Sequence, residues 1–473
     1  MEGSASPDGR RGRGSSIPGG WPEGTPPDSA GPVPPAPTVE IERYNGVFRW
    51  FLAIQSSWFF CLGMQITLFP YLAADVLNIA PHRLGLAQAA LWAPAILLML
   101  PAGALADHVD KRRLLMSLHL LAALPALGLA LLTGSGWLSY GGLIAYALAQ
   151  GTLGAFANPT RDSLLNHVAE SSRVRMTVQR AVTAATAAQF SAQLTGMAAA
   201  LLAAALAPAI GVHPALLVAP LLISQALVML LGAGAARRLP GEVRLREEDI
   251  EPDSAAPGEA GFAGRSPGRR LSRAARAIRS GLAEVIRSPV MWPVAAGMLA
   301  VGILFVGSFM VVLPTLVRDV HSGGLARFAL FTLCFWTGTV PASLFLLRRS
   351  PKYPGRALML SMLWGAAILF LMAFHMPFRA MLALCFLWGM GAGVALTLGR
   401  GIMQSAAPEA HRGRVLAIFN LGFAGGAPVG AVLMGYLVNH LGAYTAALIP
   451  AGSMVAVAAV LIWRSRIWSY RPD

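Results

Sequence analysis

Charged side chains are scarce: they make up 12% of the 473 residues, against roughly a quarter in an ordinary soluble domain. Lysine is nearly missing, occurring only as Lys111 and Lys352, and all 22 acids fall in tails, links or the ends of apolar runs. No carboxylate therefore sits at the centre of such a run. Cysteine is confined to Cys61, Cys334 and Cys385, each inside an apolar run, which excludes a disulfide framework and a thiolate metal site. The nine histidines are dispersed with no i,i+4 pair, so no metal-ligand set is expected. No glycine-rich loop closing on Lys-Ser/Thr is present, and no nucleophile–base constellation lies in the apolar runs. The sequence thus predicts neither an enzyme nor a direct user of ATP, and no cofactor.

What is abundant is hydrophobic residue, 55% of the chain. A helix needs about 20 mainly apolar residues to cross a bilayer. Twelve stretches meet that need: 47–73, 84–104, 114–133, 137–158, 181–207, 214–236, 291–316, 325–347, 357–374, 379–399, 415–438 and 443–463. The bases choose a side. The links after spans two, four, six, eight and ten, with the final tail, hold about 28 Lys and Arg, while the opposite links hold Arg83, Arg318, Arg327 and Arg379. By the positive-inside rule both termini are expected in the cytoplasm. Residues 1–46, rich in Pro, Gly, Ser and Arg, read as a disordered cytoplasmic tail with no cleaved leader. The longest link, 237–289, separates six spans (47–236) from six (290–463), and 464–473 form a second tail. Within the link, 270–287 places Leu271, Ala275, Ile278, Leu282 and Ile286 on one helical face with arginines on the rest. That pattern predicts a helix lying on anionic headgroups. Because the bases cluster in short links, lipid explains them better than nucleic acid, and none is expected as a partner.

Two local patterns sharpen this outline. The link 101–113 carries Gly103, Asp107, Lys111, Arg112 and Arg113 between spans two and three. Further on, the stretch 170–176 recurs at an offset of 239 as 409–415, and the same offset pairs Gly154 with Gly393, Arg161 with Arg400 and Gly196 with Gly435. Such a repeat points to two like-oriented halves related by an axis along the membrane normal. The first pattern resembles the signature loop of the major facilitator superfamily: Gly, three residues, Asp, a base, any residue, Gly, two bases. Gly103, Asp107, Lys111 and Arg112 match; His108 and Asp110 depart. The resemblance implies an all-α membrane protein of twelve transmembrane helices in two pseudo-symmetric six-helix bundles, working by alternating access. It also implies a gate in which Asp107 faces the N-terminal turn of span eleven beside Arg412 and Arg414.

The stretches 155–165 and 412–430 are similar to the branch that includes the enterobactin exporter and macrolide-efflux proteins, which implies proton-coupled export of a siderophore- or drug-like solute from a bacterial cytoplasmic membrane. Lysophospholipid transporters look similar, so lipid flipping or import of a nutrient stays open, as does a non-transporting receptor or assembly partner. A monomer is expected. The sequence departs from drug antiporters in having Ala147 where span four often carries Arg, and 189–196 in place of a Gly-Pro pair.

For the substrate cavity the amides and aromatics are the candidates. Gln55 and Gln65 lie near one face of span one with Trp58 and Leu62; Tyr146, Gln150 and Asn158 mark span four; Gln189 and Gln193 share a face of span five; Trp336 and Trp388 stand in the second half with Ser308, Thr332 and Thr397. Amides in hydrocarbon also serve to join helices, so lining and glue remain alternatives for each. Arg161 and Asp162 are read as an ion pair or as the groups that couple transport to protons.

Overall fold

The computed structural model describes residues 38–98, 101, 102, 105, 109–171, 178–239, 279, 281–349, 351–408 and 412–471. The chain divides into two units, Met1–Arg43 and Tyr44–Asp473, and all that follows concerns the second. Gly103, Asp107, residues 172–176 and 409–411 of the repeat pair, and most of the expected surface helix 270–287 lie outside the described residues; of that helix, 279 and 281–287 are helical.

Every one of the twelve predicted spans is a helix. They are α1 (Thr38–Tyr71), α2 (Pro81–Leu97), α3 (Lys111–Gly134), α4 (Tyr140–Ser171), α5 (Val178–Leu206), α6 (Val218–Arg237), α7 (Met291–Asp319), α8 (Leu325–Arg348), α9 (Pro354–Met372), α10 (Phe378–Ala406), α11 (Arg412–Leu441) and α12 (Ala443–Arg464). Ten of the helices among the described residues are long and apolar enough to cross a membrane. No strand occurs among the described residues. Two boundaries depart most from expectation: α1 begins at Thr38, not near 47, and α4 runs to Ser171, not 158.

Helix ends follow local chemistry. Proline opens α2 at Pro81 and α9 at Pro354, where its missing N–H costs nothing. Asp110, which replaces the signature glycine, caps α3: its carboxylate accepts from the backbone N–H of Arg112 at 2.9 Å and Arg113 at 3.3 Å. Asp110→Ala is expected to lower stability by about 1 kcal/mol, read as a fall in melting temperature, with Asp110→Asn nearly silent. Lys111, the first residue of α3, is buried, and Arg112 donates to the Arg237 carbonyl at the end of α6.

The pairing of helices repeats when every number is raised by six. α3 packs on α6 as α9 packs on α12; α2 packs on α4 as α8 does on α10; α3 meets α4 as α9 meets α10. Across the halves, α2 lies on α11 and α5 on α8. Within each half the first and fifth helices touch backbone to backbone. A Cβ at Gly63 would lie 2.0 Å from the Gln193 carbonyl oxygen, and one at Gly196 2.0 Å from that of Phe60. Gly302, at the repeat offset from Gly63, and Gly307 meet Gly426 and Gly430 of α11 in the same manner. Small residues let membrane helices gain van der Waals contact in the absence of a hydrophobic drive. The paired Gly435 differs from Gly196: it packs not within its half but against Pro81 and Gly85 of α2.

One feature has no counterpart in the hydropathy pattern. α7 is widened into π-helical turns at Val301–Val306 and Ser308–Val312, and α1 ends in another at Leu72–Val76. Ser308 is not a cavity residue; its hydroxyl donates to the Leu304 carbonyl at 2.6 Å. π-turns recur at functional sites, and those of α7 face the cavity described next.

Candidate functional site: a cavity between the halves

A cavity of about 270 Å³ lies between the two halves. Its two walls differ in chemistry. The first half supplies the amides Gln65 from α1, Gln88 from α2, and Gln150 and Asn158 from α4, beside the rings of Trp58, Phe69 and Trp92; the second supplies Phe305 and Phe309 from α7, Phe331, Phe335 and Trp336 from α8, and Trp388 from α10, with no amide. Among the described residues no ionisable side chain lines it. The aromatic wall is mutually packed. Phe309 sits 4.5 Å from Phe335, and Trp388 stands edge-on to Phe305 at 5.9 Å and to Phe335 at 5.5 Å, the offset geometry that ring quadrupoles prefer. The indole Nε1 of Trp336 is buried with no hydrogen-bond partner.

The sequence candidates divide accordingly. Gln65, Gln150, Asn158, Trp336 and Trp388 come together at the cavity, as do Trp58 and Leu62. Gln150 is also bonded, through Nε2 to the Ala122 carbonyl of α3 at 3.1 Å, so lining and joining are not exclusive. Gln55, Tyr146, Gln189 and Gln193 do not line it. Gln55 donates to Gln189 at 3.3 Å between α1 and α5, and Tyr146 receives a bond from Gln225 of α6 at 3.3 Å. Gln193 is buried where Gly63 rests on its backbone. Thr332 bonds Thr67 across the halves at 3.0 Å, and Thr397 faces Ser343. Gln88 was not among the candidates; an amide in the middle of span two carried the same signal as those that were.

Arg161 and Asp162 do not form the expected ion pair among the described residues. Arg161, 3% exposed, donates to Asn158 Oδ1, and its guanidinium lies over the rings of Trp58 and Phe59 at 5.2 and 4.6 Å. Asp162 is exposed. Successive helical residues point about 100° apart, which sends one inward and the other to the mouth. Of the gating candidates, Arg113 pairs with Asp110 at 3.6 Å, and Arg414 is exposed beside Gly281; the side chain of Arg412 lies outside the described residues.

At the end of the bundle away from the chain termini the halves are bonded together. Arg318 of α7 donates to the Ile79 carbonyl at 2.9 Å and to that of Ala74 at 3.4 Å while also pairing with Asp319. In the other direction Asp75 accepts from the Gly324 N–H, the residue before α8, at 3.2 Å. His82 Nδ1 and Asn439 Oδ1 are 2.9 Å apart. A carboxylate from one half thus sits on a helix N-terminus of the other, where the helix dipole favours it, and a guanidinium returns to the Ala74 carbonyl in the last turn of α1 and to the Ile79 carbonyl of the link before α2. Toward the end carrying the termini, Asn158 both lines the cavity and is exposed.

The comparisons agree with this geometry. The family model described as Major Facilitator Superfamily matches residues 51–327 and 305–472. The chain belongs to the major facilitator superfamily. A structure of the nucleoside transporter NupG superposes with a TM-score of 0.65 at 14% identity, covering 90% of this chain and 100% of that one. A POT family transporter in complex with 5-aminolevulinic acid gives 0.64 at 13%, covering 91% and 97%. No curated protein matches the sequence significantly. The protein is a multi-pass membrane protein with the fold of a secondary transporter.

Proposed function

We propose that the protein is a proton-driven exporter of a small amphipathic molecule, siderophore- or drug-like, in a bacterial cytoplasmic membrane, with both termini in the cytoplasm. The reading places it near the branch of the enterobactin exporter and macrolide-efflux proteins on the strength of residues 155–165 and 412–430. The observation that carries the substrate class is the lining of the cavity: amides from the first half only, rings from both halves and most densely from the second, and no ionisable group among the described residues. A bulky solute with an apolar ring face and a polar edge satisfies both walls, and the orphaned Trp336 indole offers a donor to an acceptor on its cargo. The bonds that join the halves at the far end, together with the basic links at the other, support loading from the cytoplasmic side.

Everted membrane vesicles test this. A catechol siderophore or a macrolide is expected to accumulate inside them, and the accumulation to collapse when the pH gradient is dissipated. Accumulation only in right-side-out vesicles would make the protein an importer; transfer of lysophospholipid alone would make it a flippase. For a transported solute, Trp388→Ala is expected to raise KM by about tenfold, since a stacking ring is worth on the order of 1 kcal/mol beyond its area.

A further inference from the structure

One polar niche adjoins the cavity without being explained by it. Arg161 uses one nitrogen, Nη2, on Asn158; Nε and Nη1 are buried without a partner. Buried cations in a membrane protein are held by paired charges or by full hydrogen bonding; among the described residues this one makes no contact ion pair, feels Asp162 only at longer range, and leaves two donors unbonded. The groups that face it are few. Asp162, next along α4, is exposed and lies within the field of Arg400 as well as Arg161. His119 of α3 is fully buried and edge-on to Trp58 at 5.4 Å; its Nδ1 meets the Leu115 carbonyl at 2.8 Å, which leaves Nε2 an unpaired acceptor. From α1 come the faces of Trp58 and Phe59, whose quadrupoles favour the cation but offer its N–H donors nothing in plane. Trp58 and Asn158, both in contact with the guanidinium, also line the cavity.

Resting on the exporter reading and narrowing it, we propose that Arg161 is an anion-recognition residue: the cargo carries a carboxylate or similar monoanionic group that replaces Asn158 at the guanidinium while its ring stacks on the aromatic wall. The geometry suits the chemistry. A guanidinium presents its donors as a planar fork that matches a carboxylate bidentately, and the unpartnered donors here are enough for such a fork. Asn158 is a neutral placeholder that lines the cavity and is exposed.

The experiment uses three probes with one ring system and three charges: 2-naphthoate, 2-naphthylmethanol and 2-naphthylmethylammonium, each equilibrated by dialysis against purified full-length protein. 2-Naphthoate is expected to bind at least about tenfold tighter than the alcohol, and the ammonium more weakly than either, the scale of one charge-assisted hydrogen bond. In Arg161→Gln the preference for the anion should fall to within about twofold while the alcohol binds as before. Asn158→Ala, which keeps the cation and removes its placeholder, should bind the anion as tightly as the unaltered protein or tighter, and it serves if Arg161→Gln does not fold. Equal binding of the three probes, as when an ordered water fills the niche, or a preference for the anion that survives Arg161→Gln, overturns the proposal and leaves the exporter reading standing. No binding of any probe by the unaltered protein removes both.

Discussion

Gly430→Val is expected to leave almost no recoverable folded protein. A Cβ at Gly430 would fall 2.1 Å from the Ile303 carbonyl oxygen and 2.7 Å from its carbon, and Gly307 across the contact has its own Cβ position 2.5 Å from Gly430. The obstacle is backbone on both sides, so no rotamer change relieves it. α7 and α11 must separate, and every contact along their seam, from Gly302 to Gly430, is lost with them. Overpacking in a well-packed interior costs about 1–3 kcal/mol where side chains can yield; here they cannot, and the loss should reach the whole of a marginal stability. The control is Gly452→Ala on α12, where a Cβ meets nothing within 4 Å. Fluorescence-detected size exclusion in detergent should show a normal monodisperse peak for Gly452→Ala and an absent or void-volume peak for Gly430→Val. A normal peak for both would mean that the α7–α11 contact is looser than described.

Arg318→Ala is expected to open the far end of the bundle. The side chain is 16% exposed and gives charge-assisted bonds to carbonyls of the other half. Each such bond is worth about 1.5–3 kcal/mol when a charged partner is removed. Losing about 2 kcal/mol from one of two conformations shifts their ratio by roughly thirtyfold. Spin labels at Val76 and Leu441, exposed positions of opposite halves at this end, should report one short distance in the unaltered protein. In Arg318→Ala a longer distance should appear with substantial weight. Asp75→Asn should act in the same direction and more weakly, because an amide oxygen still accepts from the Gly324 N–H. An unchanged distance distribution in both variants would show that the latch does not hold the halves.

The span pattern was readable because it rests on length and hydropathy, which a bilayer imposes directly: Lys111–Gly134 and Ala443–Arg464 each fall where an apolar run and its flanking bases put them. The π-turns of α7 were not readable. An apolar run such as 301–312 has the same composition whether it closes bonds to the fourth or the fifth residue, and what widens it is packing against α11. The cavity was half legible. Amides in spans one and four were flagged by their cost in hydrocarbon, yet that cost is met equally by a partner helix, as Gln55 and Gln189 show. Only the three-dimensional arrangement says which amide faces the gap. Arg161 and Asp162 look like a pair in the sequence because they are adjacent; the helix separates them. The latch escaped notice because Asp75, Arg318 and Gly324 are unremarkable residues of short links, joined only by the approach of the two halves.

The crossing of α2 with α11 sets a mechanical ratio. Gly85 rests there on bare backbone of Ala431 and Gly435, so the two rods can pivot without re-sorting side chains. That fulcrum is far from the middle of α11. At 1.5 Å per residue it lies roughly 32 Å from Arg412 but only about 12 Å from Leu441. Rotation about it moves the long arm nearly three times as far as the short one. An ångström of slack at the Arg318 end therefore becomes nearly three at the opposite mouth, and a few hydrogen bonds on the short arm govern how far the long one swings.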